Sequence, residues 1–331
     1  MGVTIRDVAA EAQVSVATVS RITSNTGYPV GAATRKRVVA AIEKLGYRPS
    51  EVAKGLSMRG STLIGVLAPD MANQYYAEIT RGIEDVAHAE GYQVVFCSSD
   101  RDFDRATAYV DSLVRRRVAG LVVVGGGSEV ALVPDDVSPY EAAVVMVGRP
   151  STEFSTVQAD NEHAGRRLAD HFADLGHRRL GYLAGHSESS ASALRYEAIT
   201  AALADRGAAA PRVERGAYTE AGGYCAATTL LGSADRPTAI IAANDRMAMG
   251  ALAAANDLGL RVPDDVALAG FDNTPISEYL RPALTTFSLS SRDMGAQAMR
   301  LILAGKEGDN TIQHVTVRGD LVIRESCGSA A

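Results

Sequence analysis

The sequence predicts a small all-α head, read as a helix-turn-helix, followed by a large α/β core of two doubly wound parallel-sheet lobes. Three observations predict this. Within residues 4–21 apolar side chains recur at helical spacing on two short stretches separated by a break. From residue 61 onward, short branched apolar runs alternate with helical stretches, as in a parallel sheet wound with helices. Charge divides at the same boundary: residues 1–60 hold nine Lys/Arg against four acids, a net +5, and the other 271 residues carry −11. A basic head on an acidic body implies that the head alone meets a polyanion.

In the head, TIRDVAAEAQVSVATVSR places Ile5, Val8, Ala9 and Ala12 at i, i+3, i+4 and i+7, one apolar face of a first helix. Thr4 precedes it, and Asp7 suits a helix N-terminus. After the Gln13-Val14 turn, Ser15 is a good N-cap for a second helix. There Val19 and Ile22 point one way, and Val16, Ala17, Ser20 and Arg21 form a stripe pointing the other. That stripe suits a DNA major groove: arginine bonds a guanine edge through two hydrogen bonds, and small apolar side chains meet thymine methyls. A helical hairpin capping another domain has the same periodicity, so the stripe alone leaves both readings open. A turn-rich loop, SNTGYPVG, leads to a third helix over 33–45 with Val38, Ala41, Ile42 and Leu45 inward; Gly46 stops it. Three short helices bury little, so the head is marginally stable by itself. Pro49 then opens EVAKGLSMRG, at most two turns of helix and too short to persist alone in water.

In the core, LIGVLAP, YQVVFCSS, AGLVVVGG and AAVVMVGR read as buried parallel strands, with helices over 75–90 and 102–117. A second series follows: a helix over 161–175, RRLGYLAG, a helix over 192–206, TAIIAAND, a helix over 246–258, and DVALAGFD. A last helix over 293–303 and two short strands, HVTVRG and LVIRES, end the chain. The division is a head at 1–48, a linker at 49–60, a first lobe at 61–160 plus 291–319, and a second lobe at 161–290 plus 320–331. Two such lobes side by side make a cleft at the carboxyl ends of their strands, where ligands bind.

Composition narrows the function. The apolar share of 47% and charged share of 22% are those of an ordinary globular protein. No apolar run approaches the ~20 residues of a membrane span. MGVTIRDV carries an early acid and no apolar stretch, against a signal peptide. Cys97, Cys225 and Cys327 are far apart and odd in number, so they read as buried structural thiols in a reducing cytoplasm. Gly125–Gly127 lacks a GxGxxG frame, and Gly185-His186-Ser187 does not complete a nucleophile elbow. His163, His171 and His177 are spaced by eight and six, which does not set three metal ligands on one face. No cofactor or metal is expected, and an enzyme is the weaker class.

A binding site is the stronger reading. Polar residues stand at or just after strand ends: Asn73, Tyr75 and Tyr76, then Arg149, Asn244 and Asp245, and Asp272, with Arg195 on a helix beyond YLAG. Arginine, asparagine and aspartate bond hydroxyls in pairs, and aromatic faces cover a sugar ring. Taken singly each is a loop cap or a surface charge, the reading favoured for Asp245 and Tyr75, although Tyr75 stays in the candidate set.

VTIRDVAAEAQVSVATVSRI followed by TRKRVVAAIEKLGYRPSEVAKGLS resembles the N-terminal domain of the LacI/GalR family of bacterial transcription regulators. GVLAPDMANQYYAEITRGIED, LGHRRLGYLAG, TAIIAANDRMAMGAL and GLRVPDDVALAGFDNTPISEYLRPALTTF extend the resemblance along essentially the whole chain. It implies a lambda-repressor-like head and a periplasmic-binding-protein-like core. It also implies a hinge helix at 49–60 that folds on DNA, pairs with its copy in a dimer, and wedges Leu56 into the minor groove, with Lys54 near the backbone. The implied DNA-facing set is Thr4, Ser15, Val16, Ala17, Thr18, Ser20, Arg21, Lys54 and Leu56. The implied effector set is Asn73, Tyr76, Arg149, Arg195, Asn244 and Asp272, with Tyr75 beside them. Three departures argue against ribose-type specificity: Ala198 where relatives often have glycine, Gly148 where an acid often stands, and Leu289 where glutamine often follows. The expectation is a cytoplasmic, nucleoid-associated homodimeric repressor that binds a pseudo-palindromic double-stranded DNA operator and a small sugar-like effector, without a membrane. The alternative is a solute-binding receptor without DNA binding.

Overall fold

A computed structural model describes residues 3–23, 30–47, 61–125, 143–308 and 311–329. The predicted hinge, with Lys54 and Leu56, lies outside the described residues. The chain forms two compact units, Met1–Ser61 and Thr62–Ala331.

The first unit holds α1 (Ile5–Glu11), α2 (Val16–Thr23) and α3 (Ala32–Leu45). Val8, Ala9, Ala12, Val19, Ile22, Val38 and Ala41 form its core, the inward positions that the helical spacing marks. The backbone N–H and the hydroxyl of Thr4 both donate to the Asp7 carboxylate, at 2.8 and 2.7 Å. Ser15 Oγ accepts the Thr18 N–H at 3.1 Å, fixing the start of α2. Gln13 makes the turn between α1 and α2 with φ 49°.

The second unit contains two six-stranded sheets. One is built from β1 (Leu63–Ala68), β2 (Gln93–Ser98), β3 (Gly120–Val124), β4 (Ala143–Val147), β5 (Ser155–Ala159) and β11 (His314–Val317), in the order β11-β5-β4-β3-β1-β2 and parallel throughout. The other contains β6 (Leu180–Ala184), β7 (Arg212–Arg215), β8 (Ala239–Ala242), β9 (Ala267–Phe271), β10 (Thr285–Ser288) and β12 (Asp320–Val322), in the order β12-β10-β9-β8-β6-β7, with β12 alone antiparallel. Helices α4 (Gln74–Ala89), α5 (Phe103–Arg115) and α10 (Ser291–Lys306) accompany the first sheet. The second sheet has α6 (Asn161–Asp174), α7 (Ser190–Asp205), α8 (Glu220–Leu231) and α9 (Asp245–Asp257). The chain leaves the first sheet after β5, returns through α10, and leaves again between β11 and β12. Central strands β1, β3, β6, β8 and β9 are almost wholly buried, as strands covered by helices on both faces must be.

Strands β5 (STVQA), β7 (RVER) and β10 (TTFS) lack an apolar run and are not marked by the sequence pattern. Buried Thr156, Thr285 and Thr286 find partners in His314 Nδ1, the Arg324 carbonyl and Asp245 Oδ1, so β5 and β10 carry hydroxyls inward at little cost. The cysteine expectation needs correction. Cys327 is buried, Cys97 is half-buried and Cys225 is exposed on α8, so only one is a buried thiol. Two of the three clustered histidines are bonded within the fold: His171 Nε2 lies 3.3 Å from Cys327 Sγ, and His177 Nδ1 lies 3.0 Å from Thr238 Oγ1.

Candidate functional site

On α2, Val19 and Ile22 are buried against the head's core, while Val16, Ala17 and Arg21 are exposed. The outward stripe therefore exists as three exposed side chains, with Ser20 and Thr18 half-buried beside it. Thr4 and Ser15 cap the two helices and sit at their N-termini, where backbone N–H groups favour anions.

In the second unit a cavity of about 310 Å³ opens at the carboxyl ends of the strands of both sheets. Asn73, at the N-cap of α4, and Tyr75 and Tyr76, on its first turn, line it from one lobe, and Arg195, Asn244 and Asp272 from the other. Each is placed by local structure. Asn73 Oδ1 accepts the Tyr75 N–H at 3.0 Å and so caps α4. Asn244 Oδ1 caps α9 through the Met247 N–H at 2.9 Å, and its Nδ2 donates to the Tyr218 carbonyl at 3.3 Å. A cap and a cavity contact are thus one role here, because the helices start where the strands end.

Arg195 is buried without a carboxylate clamp. Its Nε donates to Asn161 Oδ1 at 2.8 Å, its Nη1 to the Ala243 carbonyl at 2.6 Å, and its guanidinium lies 4.2 Å over the Phe271 ring. Asp272 faces the same space. Burial pushes its pKa well above the usual carboxylate range, Asp245 adds to the shift, and Arg195 offsets part of it. Burial, then Asp272, also raises the Tyr75 hydroxyl. Tyr75 and Tyr76 meet edge to face with ring centroids 5.2 Å apart. The cavity thus offers a held cation, a reluctant anion, amides and aromatic walls.

Three loops at this cavity carry paired non-glycine residues at positive φ: Asp100-Arg101, Ala217-Tyr218 and Asp272-Asn273. Such conformations cost on the order of 1–3 kcal/mol each and cluster where a site imposes them.

Arg149 departs from the expected set. Gly148, at φ +94°, lines the cavity, and Arg149 is half-buried outside the lining, because the left-handed turn presents backbone at that point. Asp245 corrects the surface-charge reading. It is fully buried, accepting from the Thr274 N–H and hydroxyl, Ser277 Oγ and Thr286 Oγ1 at 2.6–3.1 Å. Sequence reasoning missed Arg101, Tyr218 and the run from His186 to Ser189, all of which line the cavity. Their signal was position alone: each follows a strand on the same edge of its sheet. Ala198, the glycine departure, packs against Gly165 between α7 and α6, so it acts on helix packing and not on the cavity.

A helix-turn-helix unit joined to a bilobal binding core defines the class of DNA-binding regulators. Residues 4–50 match the family described as bacterial regulatory proteins, lacI family, and residues 169–327 match the periplasmic binding protein-like domain. Catabolite control protein A of Priestia megaterium is 36% identical over 307 residues, covering 91% of this chain and 92% of that protein. The HTH-type transcriptional repressor PurR of Photobacterium profundum is 32% identical over 330 residues, 98% of each. Among solved structures, a lac repressor dimer bound to operator and the anti-inducer ONPF has a TM-score of 0.87 at 28% identity, covering 99% of both chains. A transcriptional regulator CelR–cellobiose complex has a TM-score of 0.75 at 28% identity, covering 98% of this chain and 99% of that one. The chain belongs to the LacI family of bacterial regulatory proteins and is a DNA-binding transcriptional regulator. The solute-receptor alternative gives way to that membership. No helix among the described residues is long and apolar enough to cross a membrane.

Proposed function

We propose that the chain is a dimeric, cytoplasmic, nucleoid-bound repressor whose affinity for a pseudo-palindromic operator is set by a small hydroxyl-rich effector in the interlobe cavity. The observation that carries this reading is the convergence of Asn73, Tyr76, Arg195, Asn244 and Asp272, from both lobes, on one cavity of about 310 Å³. That volume is at the low end for small-molecule sites and fits one ring with its substituents. Val16, Ala17 and Arg21 read base edges in the major groove, with Thr4, Ser15, Thr18 and Ser20 around them on the backbone. Lys54 and Leu56 act in the minor groove through the 49–60 hinge. The sheet memberships of β11 and β12 support lobes at 61–160 plus 291–319 and 161–290 plus 320–331. Relatives that are named repressors support the direction of control. A thermal-shift screen of monosaccharides and nucleosides tests the effector half, since a bound ligand raises apparent stability by mass action. A hit that also changes the gel-shift affinity for operator supports the reading, and the absence of any hit at millimolar ligand rejects it.

A further inference from the structure

Arg246 stands at the second position of α9, two residues after Asn244, in a place its own helix does not favour. A cation in the first turn meets the positive end of the helix dipole. Two carboxylates compensate it. Nε and Nη2 donate to Glu220 Oε1 and Oε2, each at 2.7 Å, and Nη1 donates to Asp70 Oδ2 at 3.0 Å. Glu220 opens α8, two residues after Tyr218, and belongs to the same lobe as Arg246. Asp70 belongs to the other lobe, on the connection from β1 that ends at the cavity-lining Asn73. The two bonds therefore differ in kind. The bidentate grip on Glu220 fixes the guanidinium plane within one lobe, and the third bond crosses the cleft. Asp70 is itself held, because its Oδ1 accepts the Ala72 N–H at 2.8 Å. The crossing pair is only 20% and 25% exposed, so solvent screens it less than an ordinary surface pair.

We propose that Arg246 is a positioning residue that latches the two lobes beside the cavity. Cleft opening breaks the Arg246–Asp70 bond and leaves the Arg246–Glu220 pair intact. The latch sets the balance of open and closed forms before any ligand arrives, and it slows release of whatever the cavity holds. It rests on reading the cavity as the effector's site, but the bond itself can be tested without ligand.

The experiment is amide hydrogen exchange on the full-length, ligand-free chain, read on peptides covering 68–76. Asp70→Asn keeps an oxygen for the Ala72 N–H and removes only the charge that crosses the cleft. Arg246→Gln changes the opposite lobe. Each is expected to speed exchange at 68–76 roughly two- to tenfold and to leave peptides from 4–23 unchanged. The double variant should be no faster than either single one, because both remove the same interaction. Sodium chloride at about 1 M should speed the unaltered chain part of the way toward the variants and move the variants less. Unchanged exchange at 68–76 in Arg246→Gln, or additive effects in the double variant, would overturn the latch. An empty thermal-shift screen beside a passed exchange test would reject the effector reading alone.

Discussion

At Asp272 the fold works against a charge at the same place where a ligand would use one. Burial first, then Asp245, raise its pKa well above the ordinary 3.8, so the folded chain takes up a proton there more readily than the unfolded chain. This group favours folding below its ordinary pKa, and that contribution is lost as the pH rises through the raised value. Asp272→Asn is therefore expected to stabilise the core near pH 8 by on the order of 1 kcal/mol, with the gain shrinking as the pH falls toward 4. Asparagine tolerates the 104° φ of this position, so the change isolates the charge. Thermal melts across pH would show it, and the variant should lose the shift given by any sugar or nucleoside that stabilises the unaltered chain. On α2 the corresponding residue is Arg21, exposed beside Val16 and Ala17. Arg21→Ala should cost about 1–3 kcal/mol at one base pair per half-site and relax preference there. Equal losses across all half-site variants in gel shifts would make it a phosphate contact. Asn73, Asn244 and Asp272 were legible in the sequence because they stand at strand exits within the segments that carry the family resemblance. Arg101, His186 and Tyr218 sit at strand exits too, but outside those segments, and so looked like ordinary loop.

Among the elements, α8 and α9 show how packing sets the site. A Cβ at Gly250 would collide with the Glu220 carbonyl oxygen, and one at Gly223 would collide with the Met247 carbonyl oxygen. The two helices touch backbone to backbone near their N-termini, which brings Glu220 to Arg246 and Tyr218 to Asn244. Gly250→Ala must push α8 away from α9, a strain of about 1–3 kcal/mol or more. Urea melts should show the core weakened by that amount, with near-unchanged exchange protection in the head. The sequence marks RMAMGAL as a helix but gives no hint of this contact, because its partner is a helix 26–30 residues earlier with no shared pattern. Strands divide along the same line. LIGVLA and GLVVV announce themselves through branched apolar runs, whereas TTFS and STVQA bury threonines whose hydroxyls are satisfied only by residues distant in sequence. Local pattern predicts an element when its stability comes from apolar burial, and fails when it comes from a hydrogen bond whose partner is far along the chain.

For the molecule as a whole, the +5 head and the −11 remainder favour DNA binding by the head, and the proposed effector site lies in the other unit. Relief of phosphate repulsion by the head's Lys and Arg releases counterions, so a dimer contacting about six to ten phosphates should lose roughly 10³–10⁵ in operator affinity between 50 and 200 mM salt. In the proposed function the two units communicate through the free energies of their joint states. If a ligand in the cavity changes operator affinity by some factor, bound operator must change ligand affinity by that same factor. The magnitude expected of such coupling is about 1–3 kcal/mol, or 5- to 150-fold. The measurement is a pair of calorimetric titrations with the ligand found by thermal shift, one on the free protein and one on the operator complex, at a salt concentration where the complex stays intact. A ratio of affinities that differs from one, and matches the shift in operator binding, means that the cavity and the DNA-reading helix are coupled. Identical ligand affinities in the two titrations would mean that the cavity and the DNA-reading helix share a chain without sharing a switch.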